Sequence, residues 1–449
     1  MRPFKITGSI RERCRLWLTE KTRPIPERYR PWLVALGFII LQAFVWFVLF
    51  EVLWYKDRSI TDTPEYYDYA SRIVRGMVPY RDFAAEYPPV AMVIFWLPRR
   101  LSGPGYDAFV RWFEVEMFLF SCGNITLITV AAGRLWGSAR KLAGALGAYT
   151  FLILAMGSIV ESRFDMAAAF IILAGAVSFI TDRYLLAWLL LGVGLMTKVV
   201  PALLAPVFLI AHFRRRQYWQ LLWGPLAMLL AATVIALPFI FSAPAGLAGA
   251  FLYHVERPLQ LESSWASPLL LAARFGGYPV RIMNAYGSHN VYSTLSNTMA
   301  QLSAPVTILL LLAEYWIFFR RSRGADDGRI TADVVRFSTA AVATFILGGK
   351  VFSPQFLIWL LPMVVLIKGP DRRVTLGIFA AVVTLTQIEF PFNYWRLYSL
   401  EGGIIAEVAL RNLMLAVFLG MMLFYRQQEA LATVPRAVET SVTETAEQP

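Results

Sequence analysis

Charge, cysteine and histidine are all scarce in this sequence. Charged residues fill 16% of its 449 positions, against about a quarter in a soluble domain, which excludes a disordered chain, a collagen and an ordinary soluble enzyme. Two cysteines, Cys14 and Cys122, are too few for a disulfide scaffold or a four-thiolate metal site. Cys14 sits in a basic stretch and Cys122 in an apolar run, so no bridge between them is expected. Three histidines, His212, His254 and His289, argue against an imidazole-based metal centre. A net charge of +12 would suggest nucleic acid in a soluble protein. Here it reads as cationic loops facing anionic lipid headgroups, with no nucleic-acid partner.

What the sequence has in abundance is apolar surface. Hydrophobic residues make up 57% of the chain, in recurring runs of about 20, the length that spans a bilayer as helix. The expected fold is an all-α polytopic membrane protein with the lipid bilayer as its environment. Residues 1–31 carry nine Lys/Arg and read as a cytoplasmic basic segment. The run at 32–54 is too long for a signal peptide and has no small-residue cleavage site, so it reads as a retained first span. Further crossings are expected at 111–132, 142–160, 166–180, 219–241, 304–319, 374–388 and 404–425. Residues 426–449, rich in Thr, Glu and Ala, read as a disordered cytoplasmic tail, leaving 32–425 as the membrane domain.

Two stretches need a different explanation. Residues 184–213 and 337–367 each lie between basic clusters of the same side, so neither can be a single crossing. Each is expected to be a hairpin of short arms, about 21 Å apiece in the first, with its tip below the outer surface. The tips carry Lys198 before Pro201 and Lys350 before Pro354. Counting both arms of each hairpin gives about twelve membrane helices with both termini inside. Segments 55–87 and 242–297 become long outer loops, the first with interfacial helices.

Polar residues gather on that outer side: Asp62, Tyr66, Tyr80, Asp82 and Glu86 in the first loop, Arg163 and Asp165 in a short turn, the two tip lysines, and His254, Arg257 and Glu262 in the second loop. Ionisable residues at membrane depth are functional candidates. Several cations with one carboxylate suit sugar transfer from a lipid phosphate. The departing phosphate needs positive charge rather than a proton. The attacking hydroxyl needs one base on the opposite face of the sugar ring. Tyrosines such as Tyr66 and Tyr80 could stack on sugar faces.

In this order, Asp62-x-x-x-Tyr66, Gly76-x-x-Pro79-Tyr80 through Glu86-Tyr87-Pro88-Pro89, Arg163-Phe164-Asp165, Lys198-x-x-Pro201, Tyr253-His254-x-x-Arg257-x-x-Gln260-x-Glu262-Ser263 and Gly349-Lys350-Val351-x-Ser353-Pro354-Gln355 resemble the GT-C superfamily of membrane glycosyltransferases. More closely the chain resembles glycosyltransferase family 87, the polyprenyl-phosphate-mannose-dependent α-mannosyltransferase-like proteins. The resemblance implies the GT-C fold and a catalytic base that maps onto Asp62. It implies a polyprenyl-phosphate-linked sugar donor, a hydroxyl of a glycolipid or glycan as acceptor, an extracytoplasmic site and inversion at the anomeric carbon. Lys198, Arg257, Lys350, His254, Arg163 and Gln355 are then the candidates for donor phosphate and sugar. Glu86, Asp82, Tyr66, Tyr80, Asp165 and Glu262 are the candidates for acceptor binding or loop ordering. No cofactor and no metal are expected, because the tip cations can serve the phosphate.

Plainer roles compete at each position. Asp62 could cap the helix that starts at Thr63-Pro64, with Asp68 and Asp82 as rival bases. Arg163 and Asp165 could form a structural ion pair, as could Arg257 with Glu262, and Lys198 could pair with a carboxylate. The broken helices also suit a transporter or flippase of an anionic or lipid-linked substrate.

Overall fold

A computed structural model describes residues 27–52, 60–369 and 371–424. The expected basic N-terminal segment up to residue 26, the distal end of the first span and the tail from 425 fall outside the described residues.

The chain is an all-α polytopic membrane protein in its main lines: 78% of it is helical, and eight helices among the described residues are long and apolar enough to cross a membrane. They are Arg30–Leu49, Tyr106–Leu135, Ala139–Met156, Tyr218–Ser242, Ser296–Arg321, Asp327–Gly348, Arg372–Tyr398 and Gly402–Phe424. Four shorter apolar helices accompany them, at Asp165–Ile180, Tyr184–Leu195, Val200–Arg214 and Pro354–Val364.

Between the first two spans the chain forms α1 (Thr63–Val74) and α2 (Pro89–Ser102). Helix α1 buries Thr63, Tyr66, Tyr69 and Ala70, the i, i+3, i+7 stripe of a helix laid on a protein surface. Its buried stripe meets α2, whose first turn is set by Pro88-Pro89, a pair that fixes φ and permits a helix start.

The break expected within 184–213 is present. Helix α3 (Tyr184–Leu195) stops short, the backbone leaves helical form, and a 3-10 turn at Val200–Leu203 leads into α4 (Leu204–Arg214). Twelve residues rise only about 18 Å, so Lys198 lies at the break, beyond the end of α3.

The second hairpin departs from expectation. Its outward arm is not short: α5 runs unbroken over Asp327–Gly348 and is buried along most of its length. The reason is that Arg336 does not mark a membrane boundary. It is buried inside the helix bundle, donating to the Lys368 carbonyl at 2.8 Å and facing Asp371 at 3.8 Å. The helix instead begins at Asp326, whose carboxylate caps the Arg329 amide at 2.7 Å. Only the return is short: a 3-10 turn at Pro354–Trp359, then a single turn at Leu361–Val364, with Pro354 and Pro362 interrupting α-helical bonding.

The long segment after Tyr218–Ser242 holds α6 (Pro244–Glu256), α7 (Ala266–Gly276) and an antiparallel hairpin, β1 (Arg281–Ala285) with β2 (Ser288–Tyr292). This small sheet corrects the purely helical expectation. Tyr286 and Gly287 both take positive φ, 54° and 63°, as a two-residue type I′ turn requires.

Candidate functional site

The N-terminus of α1 sets the first element of the site. The Asp62 carbonyl accepts from the amides of Glu65 and Tyr66 at 3.0 and 3.1 Å, while its carboxylate makes no cap bond. The capping role is therefore carried by backbone alone. The freed carboxylate forms an ion pair with Arg163 and lies 3.4 Å from the Tyr66 hydroxyl, which points its proton at it.

Arg163 sits in the turn before α8 (Asp165–Ile180) and is 3% exposed. It also donates to the Ile60 carbonyl at 3.2 Å, so it grips both ends of the Ile60–Asp62 strand of chain. Arg163 and Asp165 do not pair with each other, contrary to the simple reading of Arg-Phe-Asp. Asp165, fully buried, receives the Lys198 ammonium at 2.6 Å and the Trp359 indole N–H at 2.6 Å. Three aromatic rings, Phe164, Phe356 and Trp359, lie 4.6 to 5.2 Å from the same ammonium, each attracting it through its π face. Lys198 thus finds the carboxylate partner its depth called for, yet its side chain remains 18% exposed.

The segment that follows Tyr218–Ser242 supplies the facing residues. His254 hydrogen-bonds the Glu86 carbonyl at 3.1 Å, and Lys350 donates to the Val255 carbonyl at 2.6 Å. Arg257 donates to the Ser288 hydroxyl on β2 at 3.0 Å, while its Nε has no hydrogen-bond partner. It does not pair directly with Glu262. The Gln260 amide N–H donates to the Lys350 carbonyl at 3.0 Å, and its side chain donates to Glu262 at 2.7 Å and Ser353 at 3.2 Å. Gln355 is half-buried in the 3-10 turn that also carries Phe356 and Trp359.

These two groups of residues lie within electrostatic reach of one another. The charge of Arg257 acts on Lys198, Lys350, His254, Glu65 and Glu262, and that of Arg163 acts on Glu262. Desolvation, followed by Arg257, pulls the His254 imidazole below its ordinary value. Burial pushes the Glu262 carboxyl up, against the opposing pull of Arg411 and Arg163. Among the described residues no three His, Cys, Asp or Glu side chains come together as metal ligands.

Several expected residues have other tasks. Tyr66 is 1% exposed, stacked at 4.2 Å on Phe95 and ringed by Phe113, Phe164 and Tyr87, so neither ring face is open to a sugar. Tyr80 is buried with its hydroxyl on the Tyr87 carbonyl at 2.6 Å. Both are framework rather than platform. Asp82 is held by Arg81 at 2.9 Å and by the Val78 amide at 2.7 Å. Asp68 is paired with Arg72 at 2.8 Å on the open side of α1. Neither rival shares the Arg163 clamp.

Sequence reasoning passed over the residues beneath Glu262. Arg411, fully buried in α9 (Gly402–Phe424), donates to the Glu262 carbonyl at 2.6 Å, lies 4.1 Å from the Phe352 ring and faces Glu389 at 3.7 Å. The available signal was an arginine in the middle of an apolar run. Trp359 was also missed, because a tryptophan in such a run reads as lipid-facing.

Compared with known proteins, the chain matches no family model and no curated protein.

Proposed function

We propose that this protein is a membrane glycosyltransferase of the GT-C type, similar to glycosyltransferase family 87. In this reading the eight long and four short apolar helices form twelve membrane segments, both termini are cytoplasmic and the site opens on the extracytoplasmic face. A sugar, mannose by the resemblance, moves from a polyprenyl-phosphate donor to a hydroxyl of a glycolipid or glycan. The observation that carries it is the Asp62 carboxylate, released from helix capping and clamped by buried Arg163, whose charge reaches the same Glu262 as Arg257, with Lys198 and Lys350 within reach of Arg257.

The acceptor oxygen attacks the anomeric carbon and its proton passes to Asp62, while the anomeric C–O bond breaks and its electron pair leaves on the polyprenyl phosphate. Arg163 holds and aims the Asp62 carboxylate, which takes the proton as the new bond forms and the hydroxyl becomes acidic. Arg257, whose Nε is free, Lys198 and Lys350 are the groups available to the departing phosphate, and guanidinium suits it geometrically. The carboxylate and the cations act on opposite faces, which inverts the anomeric centre.

The break between α3 and α4 also suits a transporter or flippase of an anionic lipid. One experiment separates the two readings. Purified protein in detergent is given labelled polyprenyl-phosphate mannose and a membrane glycan extract. A labelled glycan product that disappears with Asp62→Asn supports transfer. Absence of product in detergent, with labelled lipid moving across sealed vesicles, supports transport instead.

A further inference from the structure

Beside this cluster of cations lies a cleft whose own lining has the opposite character. A cleft of about 600 Å³ opens between α1, the loop after it and α6, lined by Glu65, Tyr69, Arg81, Glu86, Gly249 and Tyr253. Its one cation, Arg81, is occupied by Asp82, with two contacts of 2.9 Å. Glu65 and Glu86 are close enough to repel one another. Tyr69 donates to Glu65 at 2.7 Å, and the Tyr253 phenol lies beside Glu86 in the lining. The cleft therefore presents carboxylate oxygens and phenol edges, and no free positive charge among the described residues that line it.

Its position matters as much as its charge. Glu65 is one turn from Asp62 at the start of α1, and the Glu86 carboxylate acts on Lys198 and His254. Two glycines shape the floor. Gly246 lies against the Tyr80 backbone so closely that a Cβ would collide with its carbonyl, and this contact seats α6 beside the loop. At Gly249 an added Cβ would meet nothing within 4 Å, because the residue faces open space.

We propose that this cleft is the acceptor subsite and that it takes an uncharged, hydroxyl-rich sugar while rejecting phosphorylated or carboxylated ones. The inference rests on the glycosyltransferase reading and adds the location and the charge class of the acceptor. Sugar hydroxyls donate to the Glu65 and Glu86 oxygens, charge-assisted bonds that are stronger than neutral ones. Among the lining residues a phosphate would meet two carboxylates and no free cation, a like-charge juxtaposition that selects against it. The donor phosphate is drawn instead towards Arg257, Lys198 and Lys350 beyond the cleft, so the two substrates sort by charge.

Binding is measured apart from turnover. The full-length protein in lipid nanodiscs, free of sugar detergents, is examined by saturation-transfer NMR with methyl mannoside, methyl glucoside and methyl galactoside, and with the 6-phosphates of each. At least one neutral glycoside is expected to bind, and its phosphate to bind about tenfold or more weakly, the effect of ~1.4 kcal/mol. Gly249→Leu fills the cleft and is expected to weaken neutral binding about tenfold with an unchanged melting temperature. Glu65→Gln with Glu86→Gln should narrow the gap between neutral and phosphorylated probes. Equal binding of the two classes, no binding of any neutral glycoside, or Gly249→Leu binding as the parent does would each overturn the proposal. Transfer assayed on the same samples keeps the two readings apart. Active protein without cleft binding removes the subsite and spares the reaction. Cleft binding without transfer keeps the sugar site and removes the reaction.

Discussion

The Lys198 ammonium and the Trp359 indole meet on a single oxygen of Asp165, each at 2.6 Å. One carboxylate thereby ties the break after α3 to the return that follows α5. The two partners differ in their access to water. Asp165 is 1% exposed by side chain and Lys198 is 18%. Removing the cation strands a buried anion, which costs about 3–5 kcal/mol in the fully buried limit. Removing the anion leaves Lys198 its aromatic faces and some solvent. Lys198→Gln should therefore lower the thermal unfolding midpoint more than Asp165→Asn, and the double variant should be milder than the sum. Thermal unfolding in nanodiscs decides it; additive losses would mean the pair does not couple.

Asp62→Asn tests the assigned base without removing the side chain. The amide still meets the Tyr66 hydroxyl, and the position is partly open to solvent, 29% by side chain. The protein should insert and fold, while transfer falls about 10²–10⁴-fold, the usual worth of a positioned base. Turnover within a few fold of the parent enzyme would move the base elsewhere. Arg163→Lys keeps the charge but loses one of the two grips, on Asp62 and on the Ile60 carbonyl, and is expected to be impaired between parent and Asp62→Asn.

Arg411 holds Glu262 from below, and its removal should be felt at a distance. Arg411→Met deletes the bond to the Glu262 carbonyl and the partner of Glu389. We expect a loss of about 3–5 kcal/mol, read as a lowered unfolding midpoint. Adding Glu389→Leu removes the stranded carboxylate and should recover part of the loss, because apolar replacement of a buried pair is often neutral. A double variant less stable than Arg411→Met alone would contradict this account.

The turn at Val78–Asp82 has its own pH signature. The Arg81 guanidinium, then the Val78 amide, hold the Asp82 carboxyl down at about 2. A depressed carboxylate stabilises its surroundings above its unfolded value, and the contribution is lost only as pH falls through the folded value. The valine-labelled Val78 amide signal should stay in place from neutral pH down through ~3.9, the ordinary aspartate value, and move only near 2. At neutral pH, Asp82→Asn should speed tryptic cleavage after Arg81. A signal that moves at the ordinary value would show that the carboxylate is not held.

Much of the membrane architecture was legible because long apolar runs and basic flanks are local properties. The break at Lys198 could be located from charge alone, since 184–213 could not cross once. The same rule misplaced the start of α5, because Arg336 and Asp333 look like boundary charges and are buried within the bundle. Charge marks a boundary only when water or headgroups solvate it, and partners inside the fold can do that instead. The β1–β2 turn was within reach of the Tyr-Gly pair but lay in a segment judged by polarity rather than by alternation.

Residue types at the site were readable for a similar reason: an ionisable group at membrane depth needs a partner, so Asp62, Arg163, Asp165, Lys198 and Arg257 could be singled out one by one. Which of them pair could not. Arg163 and Asp165 are neighbours in sequence and bind different partners, one on Asp62 and the other on Lys198. The sequence alone determined that this chain is a helical membrane protein, because burial of an apolar run depends on composition. The tertiary structure alone decided that Asp62 is released from its helix, that Tyr66 is packed away, and that Arg411 supports Glu262. Those outcomes depend on which side chains meet across long sequence separations, 163 − 62 = 101 positions for Asp62 with Arg163 and 149 for Glu262 with Arg411, and no local rule encodes such distances.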